Sequence, residues 1–128
     1  MVLSAIGEQP QNNCYLSLAE AAILAPSPDN NQPWHFVSRG DGLWVYLDNA
    51  RALPSDVNGM FDLIGVGAAI ENAVIRARQS GWELAVRYEH DAEQNPLEGC
   101  RLVATLRRQA AGHPDPLEPF LKKRCTCR

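Results

Sequence analysis

Two pairs of alternating apolar and polar segments, with one long apolar helical run between them, predict an antiparallel α+β fold. The first pair is Trp34 to Ser38 and Leu43 to Asp48, joined through Arg39-Gly40-Asp41-Gly42, a strong hairpin signal because glycines permit the left-handed angles of a tight reversal. In the second pair, Trp82, Leu84, Val86 and Tyr88 alternate with polar residues, and so do Cys100, Leu102, Ala104 and Leu106. Both segments of the second pair read as half-buried strands.

In chain order, residues 1–12 are polar, lack periodicity and include Gly7 and Pro10, so they read as an arm or a contact with a partner subunit. Residues 13–128 then form one domain. From about Cys14 to Leu24 the apolar positions suit a helix, with Asn13 as its cap and Ser17 with Glu20 as a capping-box pattern. Pro26 and Pro28 stop it, since proline removes a donor and biases the residue before it toward extended backbone. The run from Met60 to Gln79 is apolar on nearly every side, which predicts a buried helix, closed by Ser80-Gly81. His90 to Gly99 is a polar loop, a further loop comes after Arg108, and Asp115-Pro116 is a helix start with proline at the first helical position.

At 128 residues and 45% hydrophobic content the chain holds one core. A net charge of -3, with Lys122-Lys123-Arg124 the only basic run, argues against a nucleic-acid binder. No segment approaches the ~20 apolar residues of a membrane helix. The first residues lack the pattern of a secretory signal, and four cysteines do not make a disulfide scaffold, so a cytoplasmic protein is expected.

The segment Ala25-Pro26-Ser27-Pro28-Asp29-Asn30-Asn31-Gln32-Pro33-Trp34 sets rigid prolines among amides and a hydroxyl directly behind a helix. Composition alone suits a surface turn. The same residues suit a binding loop, because a proline-stiffened segment holds donors and acceptors at fixed angles with little ordering cost. The order Pro-Ser-x-x-Asn-x-Gln-Pro-Trp resembles the flavin-contacting loop of the nitroreductase superfamily. Gly67-Ala68-Ala69-Ile70-Glu71-Asn72 resembles the helix that comes next in one branch of it. The likeness runs from about Leu16 to Arg128, which corresponds to about the first half of a typical member.

That resemblance implies a sheet flanked by helices, incomplete here, with FMN as cofactor. NAD(P)H would be the electron donor and a nitroaromatic, quinone or similar compound the acceptor. It also implies a homodimer or a complementary second half to close the flavin site. By position, Pro26 and Ser27 would lie along the ring or ribityl chain, Asn30 and Gln32 would meet its polar parts, and Pro33 would complete the loop. Family members carry an Arg-x-Ser-x-Arg phosphate site before the loop, yet no arginine precedes Arg39 here. Arg124-Cys125-Thr126-Cys127-Arg128 has similar spacing, so Arg124, Thr126 and Arg128 are the phosphate candidates, with a basic helix end as the other reading. A flavin-binding protein without turnover, or a remnant that binds nothing, are the alternatives to an enzyme.

Trp34 belongs in the core by its size, and His35 points to the opposite face. Gly65-Val66-Gly67-Ala68 lacks the third glycine and the preceding strand of a dinucleotide fingerprint. Small residues there suit close helix packing at a lobe or subunit interface. Asn72, set in an apolar run, needs a packing hydrogen bond. Cys125 and Cys127 lack the four staged ligands of a structural zinc, and no catalytic acid, base or nucleophile stands out. Asp29 and Asn31 fall at variable places in the family pattern.

Overall fold

A computed structural model describes residues 2–5, 10–89 and 97–125, with side chains described from residue 14 onward. Five strands form one sheet in the order β1-β2-β3-β5-β4: β1 (Val2–Ala5), β2 (Trp34–Ser38), β3 (Leu43–Asp48), β4 (Trp82–Tyr88) and β5 (Cys100–Ala111). Two helices, α1 (Pro10–Ala22) and α2 (Met60–Gln79), pack on one face, and a 3-10 segment, Glu118–Lys123, lies beyond β5. The α+β architecture expected from the alternation is therefore present. Its central four strands are antiparallel, and β1 adds a parallel edge beside β2.

The β2–β3 hairpin has the expected bounds, with Trp34 opposite Leu47 and Ser38 opposite Leu43, and Gly40 takes a positive φ of 62° at the reversal. Trp34, Phe36, Leu43, Val45 and Leu47 face the helices and build the main core with Leu18, Ala22, Val66, Ala69 and Ala73. Fully burying aromatic and branched side chains of this size contributes about 1.5–3 kcal/mol each. Tyr15 ties α1 to the sheet: its hydroxyl donates to Asp41 O (3.0 Å) and accepts from Arg108 N (3.1 Å), while its ring meets Trp82 edge-on at 5.3 Å.

Several elements depart from the sequence reading. Val2–Ala5, inside the segment read as an arm, is a strand, because pairing with β2 satisfies backbone that side-chain pattern does not advertise. α1 begins at Pro10, where proline's fixed φ suits a first helical position, so Asn13 lies within the helix. Ser17 is no cap, since its hydroxyl donates back to Cys14 O at 2.7 Å. β5 continues through Ala111, beyond the loop expected after Arg108. Asp115 does initiate local structure, accepting from Leu117 N (2.9 Å), but the residues after it wind as 3-10 rather than α-helix.

α2 is not buried all round. Asp62, Val66, Ala69, Ala73 and Ala77 face the core, while Met60, Phe61 and Ile64 are exposed, the last by 63%. An apolar run shows which residues resist water, not whether this chain has enough mass to cover them. Asn72 Nδ2 donates to Ala21 O (3.3 Å) and links the two helices.

The register of β3 with β5 shifts between Val45 and Tyr46, which face Ala104 and Leu102. Val103 is thus the extra residue of a β-bulge. Its effect is to break the expected alternation: Ala104 and Leu106 join the helix-side core, whereas Leu102 and Cys100 join Val37, Trp44 and Tyr46 on the far face.

Candidate functional site

The loop between α1 and β2 is held in an unusual backbone shape. Asp29, Asn30 and Gln32 have φ of 46°, 55° and 49°, left-handed values that cost energy in any residue but glycine and are least costly for Asn and Asp. Local bonds hold this shape. Ser27 Oγ accepts from Gln32 N at 3.0 Å, Ser27 O accepts from Asn30 N at 3.0 Å, and Pro28 O accepts from Asn31 N at 2.9 Å. Pro28–Asn30 forms a single 3-10 turn.

Asn31 fastens the loop from behind. Its Nδ2 donates to Arg51 O (3.0 Å) and to Asp62 Oδ1 (2.6 Å). Asp62 is fully buried in the first turn of α2, and its second oxygen accepts from Leu53 N at 2.9 Å. Asp56 caps the same helix by accepting from Phe61 N (3.1 Å) and Asp62 N (2.8 Å), a favourable place for negative charge. One buried carboxylate therefore joins the loop, the segment before α2 and α2 itself.

With Asn31 turned inward, its neighbours are presented outward. Pro26 and Asn30 are exposed, and Ser27 and Gln32 are half-buried. Gln32 Nε2 lies 3.5 Å from Asn30 Oδ1, a weak contact that leaves both amides able to meet a ligand. Pro33 is buried, and its carbonyl accepts from Asp48 N (2.8 Å), so it joins the loop to the sheet. Trp34 is in the core as its size requires, and His35 is half-buried on the opposite face.

Pro26, Ser27 and Pro28 form one wall of an open cleft of about 260 Å³, and Phe61, Ile64 and Ala68 form the other. Gly65 brings the walls together: a Cβ there would lie 3.4 Å from Pro26 O and 3.5 Å from Ser27 Cα. Phe61, Gly65, Ala68, Asn72 and Ile75 follow helical spacing along one stripe of α2. The lower end of that stripe borders a second cleft, about 420 Å³, walled by Leu117, Phe120 and Leu121 with Lys123 and Arg124 at its rim. At 1.5 Å per residue the two clefts are roughly 13 Å apart along the helix.

Arg124 is brought close to the loop, because its Nε donates to Leu24 O (2.9 Å), two residues before Pro26. Thr126 and Arg128 lie outside the described residues. The groups with resolved pKa shifts are elsewhere: His35 lowered, and Tyr46 and Cys100 raised, chiefly by burial near the far face of the sheet, and the Arg78, Glu83 and Asp115 cluster at the other end of α2. The cleft has apolar walls, with the polar side chains of Ser27, Asn30 and Gln32 in the same loop.

Sequence reasoning set Asn31 aside and did not single out Asp62, Phe61 or Ile64. A readable signal existed for Asp62, the sole charge in the first eleven residues of an apolar helix.

No family model matches the chain. The Mycobacterium tuberculosis protein "Uncharacterized protein MT1398" is 32% identical over 81 residues, which is 63% of this chain but only 11% of that protein. A Clostridium acetobutylicum structure described as a "Putative NADH Oxidase" superposes with a TM-score of 0.60 at 16% identity, covering 88% of this chain and 82% of that one. A nitroreductase family protein from Clostridium novyi NT does so with a TM-score of 0.55 at 15% identity, covering 87% and 76%. Against both structures the chain spans well over half. The chain has a nitroreductase-like α+β fold.

Proposed function

We propose that the chain binds FMN and acts as a nitroreductase-type oxidoreductase, passing reducing equivalents from NAD(P)H to a nitroaromatic, quinone or similar acceptor. The observation that carries this reading is the loop itself, strained and pinned from behind by Asn31 on Asp62, with Pro26, Ser27 and Pro28 walling an apolar cleft and the amides of Asn30 and Gln32 following in the same loop. Strain of this kind, stabilised by its surroundings, is a mark of ligand clamps.

The residues present fit the cofactor. Pro26, Pro28, Phe61 and Ile64 supply apolar surface for the faces of a fused ring. The Ser27 hydroxyl, while accepting from Gln32 N, keeps its own proton to donate. Asn30 and Gln32 each offer a donor and an acceptor to a pyrimidine edge. Arg124 and Lys123, roughly 13 Å along the helix stripe, suit a terminal phosphate at about the reach of a ribityl chain. Thr126 and Arg128 remain proposed partners there. Bound flavin supplies the hydride and electron chemistry. The chain's own residues orient the ring, fix its polar edge and keep water from one face.

The cleft is open, and Met60, Phe61 and Ile64 leave an apolar surface beside it. A second copy or a complementary half laid on this surface would complete the enclosure. No helix among the described residues is long and apolar enough to cross a membrane, and a cytoplasmic site of action is the proposal that accompanies the chemistry.

Purified protein supplied with FMN is expected to retain it through gel filtration, show flavin absorbance, and oxidise NADPH or NADH with a nitroaromatic acceptor. Colour without turnover would favour a flavin-binding protein. Failure to retain flavin at all would end the proposal.

A further inference from the structure

We infer that a second site, on the opposite flank of α2 from the loop, binds a small aromatic carboxylate. Leu63, Gly67 and Ile70 form one wall of a cleft of about 410 Å³, and Tyr88, Arg101 and Val103, from the ends of β4 and β5, form the other. The volume lies within the range of small-molecule pockets.

Gly65 and Gly67, in the first half of α2, lie on its two flanks. A Cβ on Gly65 would already touch the loop backbone at 3.4–3.5 Å, which leaves little room for a larger side chain, but a Cβ on Gly67 would meet nothing within 4 Å. A glycine in the middle of a helix destabilises it relative to alanine. No described atom of the chain itself packs within 4 Å of that position, and an occupant of the cleft would account for the missing side chain. Residues 65 and 67 are about 200° apart around the helix, so this site is separate from the loop cleft.

The charge at the mouth selects the ligand. Arg101 pairs across the sheet with Leu47, a helix-side core residue, because the bulge at Val103 reverses the alternation of β5 below it. The bulge thereby carries Arg101 onto the face that α2 covers. Glu89, also at the mouth, is engaged by Arg87 at 3.2 Å, whereas Arg101 has no carboxylate within ion-pair distance among the described residues. Apolar walls, one tyrosine ring and a guanidinium with no carboxylate partner among the described residues suit a flat hydrophobic acid.

Calorimetric titration of the full chain with naphthoate, and with the neutral naphthyl methanol as a shape control, tests this. Naphthoate should bind about tenfold more tightly than the alcohol, the scale of one charge-assisted hydrogen bond. Arg101→Gln should erase that preference, and Gly67→Leu should abolish binding of both while the thermal midpoint holds. If Gly67→Leu fails to fold, Gly67→Ala, which narrows the cleft and favours helix, should still weaken both ligands. Absence of any heat with naphthoate, equal affinity for the two ligands, or unchanged naphthoate binding in the folded Gly67 variants would each overturn the inference. Loss of an oligomer in Gly67→Leu, with no naphthoate binding to the parent, would assign the cleft to a protein interface and overturn it as well. None of these readouts depends on flavin.

Discussion

The loop from Pro26 to Pro33 and the segment from Arg51 to Gly59 are both irregular, both contain left-handed residues other than glycine, and both end on the same carboxylate. Asn31 brings the first to Asp62 Oδ1, and Leu53 N brings the second to Asp62 Oδ2. They differ in what they present. The second segment sends Asp56 to cap α2, while the first turns Asn31 inward, walls a cleft with Pro26 and Ser27, and leaves Asn30 exposed. In the second segment the strained residue, Asn58, lies in the 3-10 turn that leads into α2, so the strain serves the helix start. Strain that leaves donors and acceptors outward prepares a site.

Breaking the shared anchor should have the largest effect. Asp62→Ala leaves Leu53 N without its acceptor and takes from Asn31 Nδ2 one of its two, the other being Arg51 O, and a loss of about 3 kcal/mol in chemical denaturation is expected, together with loss of flavin retention. Asp62→Asn should recover part of the stability. A smaller change, Gly65→Val, pushes methyl groups into Pro26 O and Ser27 Cα and should cost about 2 kcal/mol, read as a lower thermal midpoint.

Asn30→Ala with Gln32→Ala separates presentation from folding. Flavin affinity should fall by about 2 kcal/mol, on the order of 1 kcal/mol for each lost bond, measured by fluorescence titration, with little change in denaturation midpoint. An unchanged affinity would remove both amides from the site. Asp56→Ala tests the other segment and should lower stability by about 1 kcal/mol through loss of the α2 cap, without altering flavin affinity beyond that effect.

Acid should act at His35 in the sheet and at the carboxylates paired with Arg78. Burial lowers the His35 pKa below 6.5, so its neutral form belongs to the fold, and stability present above that value declines as pH falls through the lower folded value. Glu83, held down by Arg78, and Asp115, held down by the Leu117 amide and Arg78, contribute above their ordinary 4.5 and 3.8 and lose that contribution below. These groups pair at the protein surface, half-buried and within reach of solvent, so the carboxylate effect should be slight. His35→Gln should flatten the first decline in a pH-dependent thermal melt series.

Much of the fold was legible. The β2–β3 hairpin and the limits of α2 follow from alternation, glycine placement and a left-handed stop, signals that local backbone chemistry writes into adjacent residues. The loop was legible as a candidate because Pro26, Ser27, Asn30 and Gln32 form an ordered motif. Illegible were the partners that arise between distant residues. Asn31 looked dispensable until Asp62, thirty-one residues away, supplied its acceptor.

By itself, the sequence determined the α+β class, the central hairpin, the long helix and the position of a stiff polar loop, since each depends on periodicity or on backbone preferences within a few residues. Only tertiary structure decided that Val2–Ala5 joins the sheet, that α2 leaves Phe61 and Ile64 uncovered, and that a bulge at Val103 turns Arg101 toward the helix. The physical reason is the same in each case. Edge pairing, coverage and register are settled by which other surfaces remain unsatisfied once the local elements have formed.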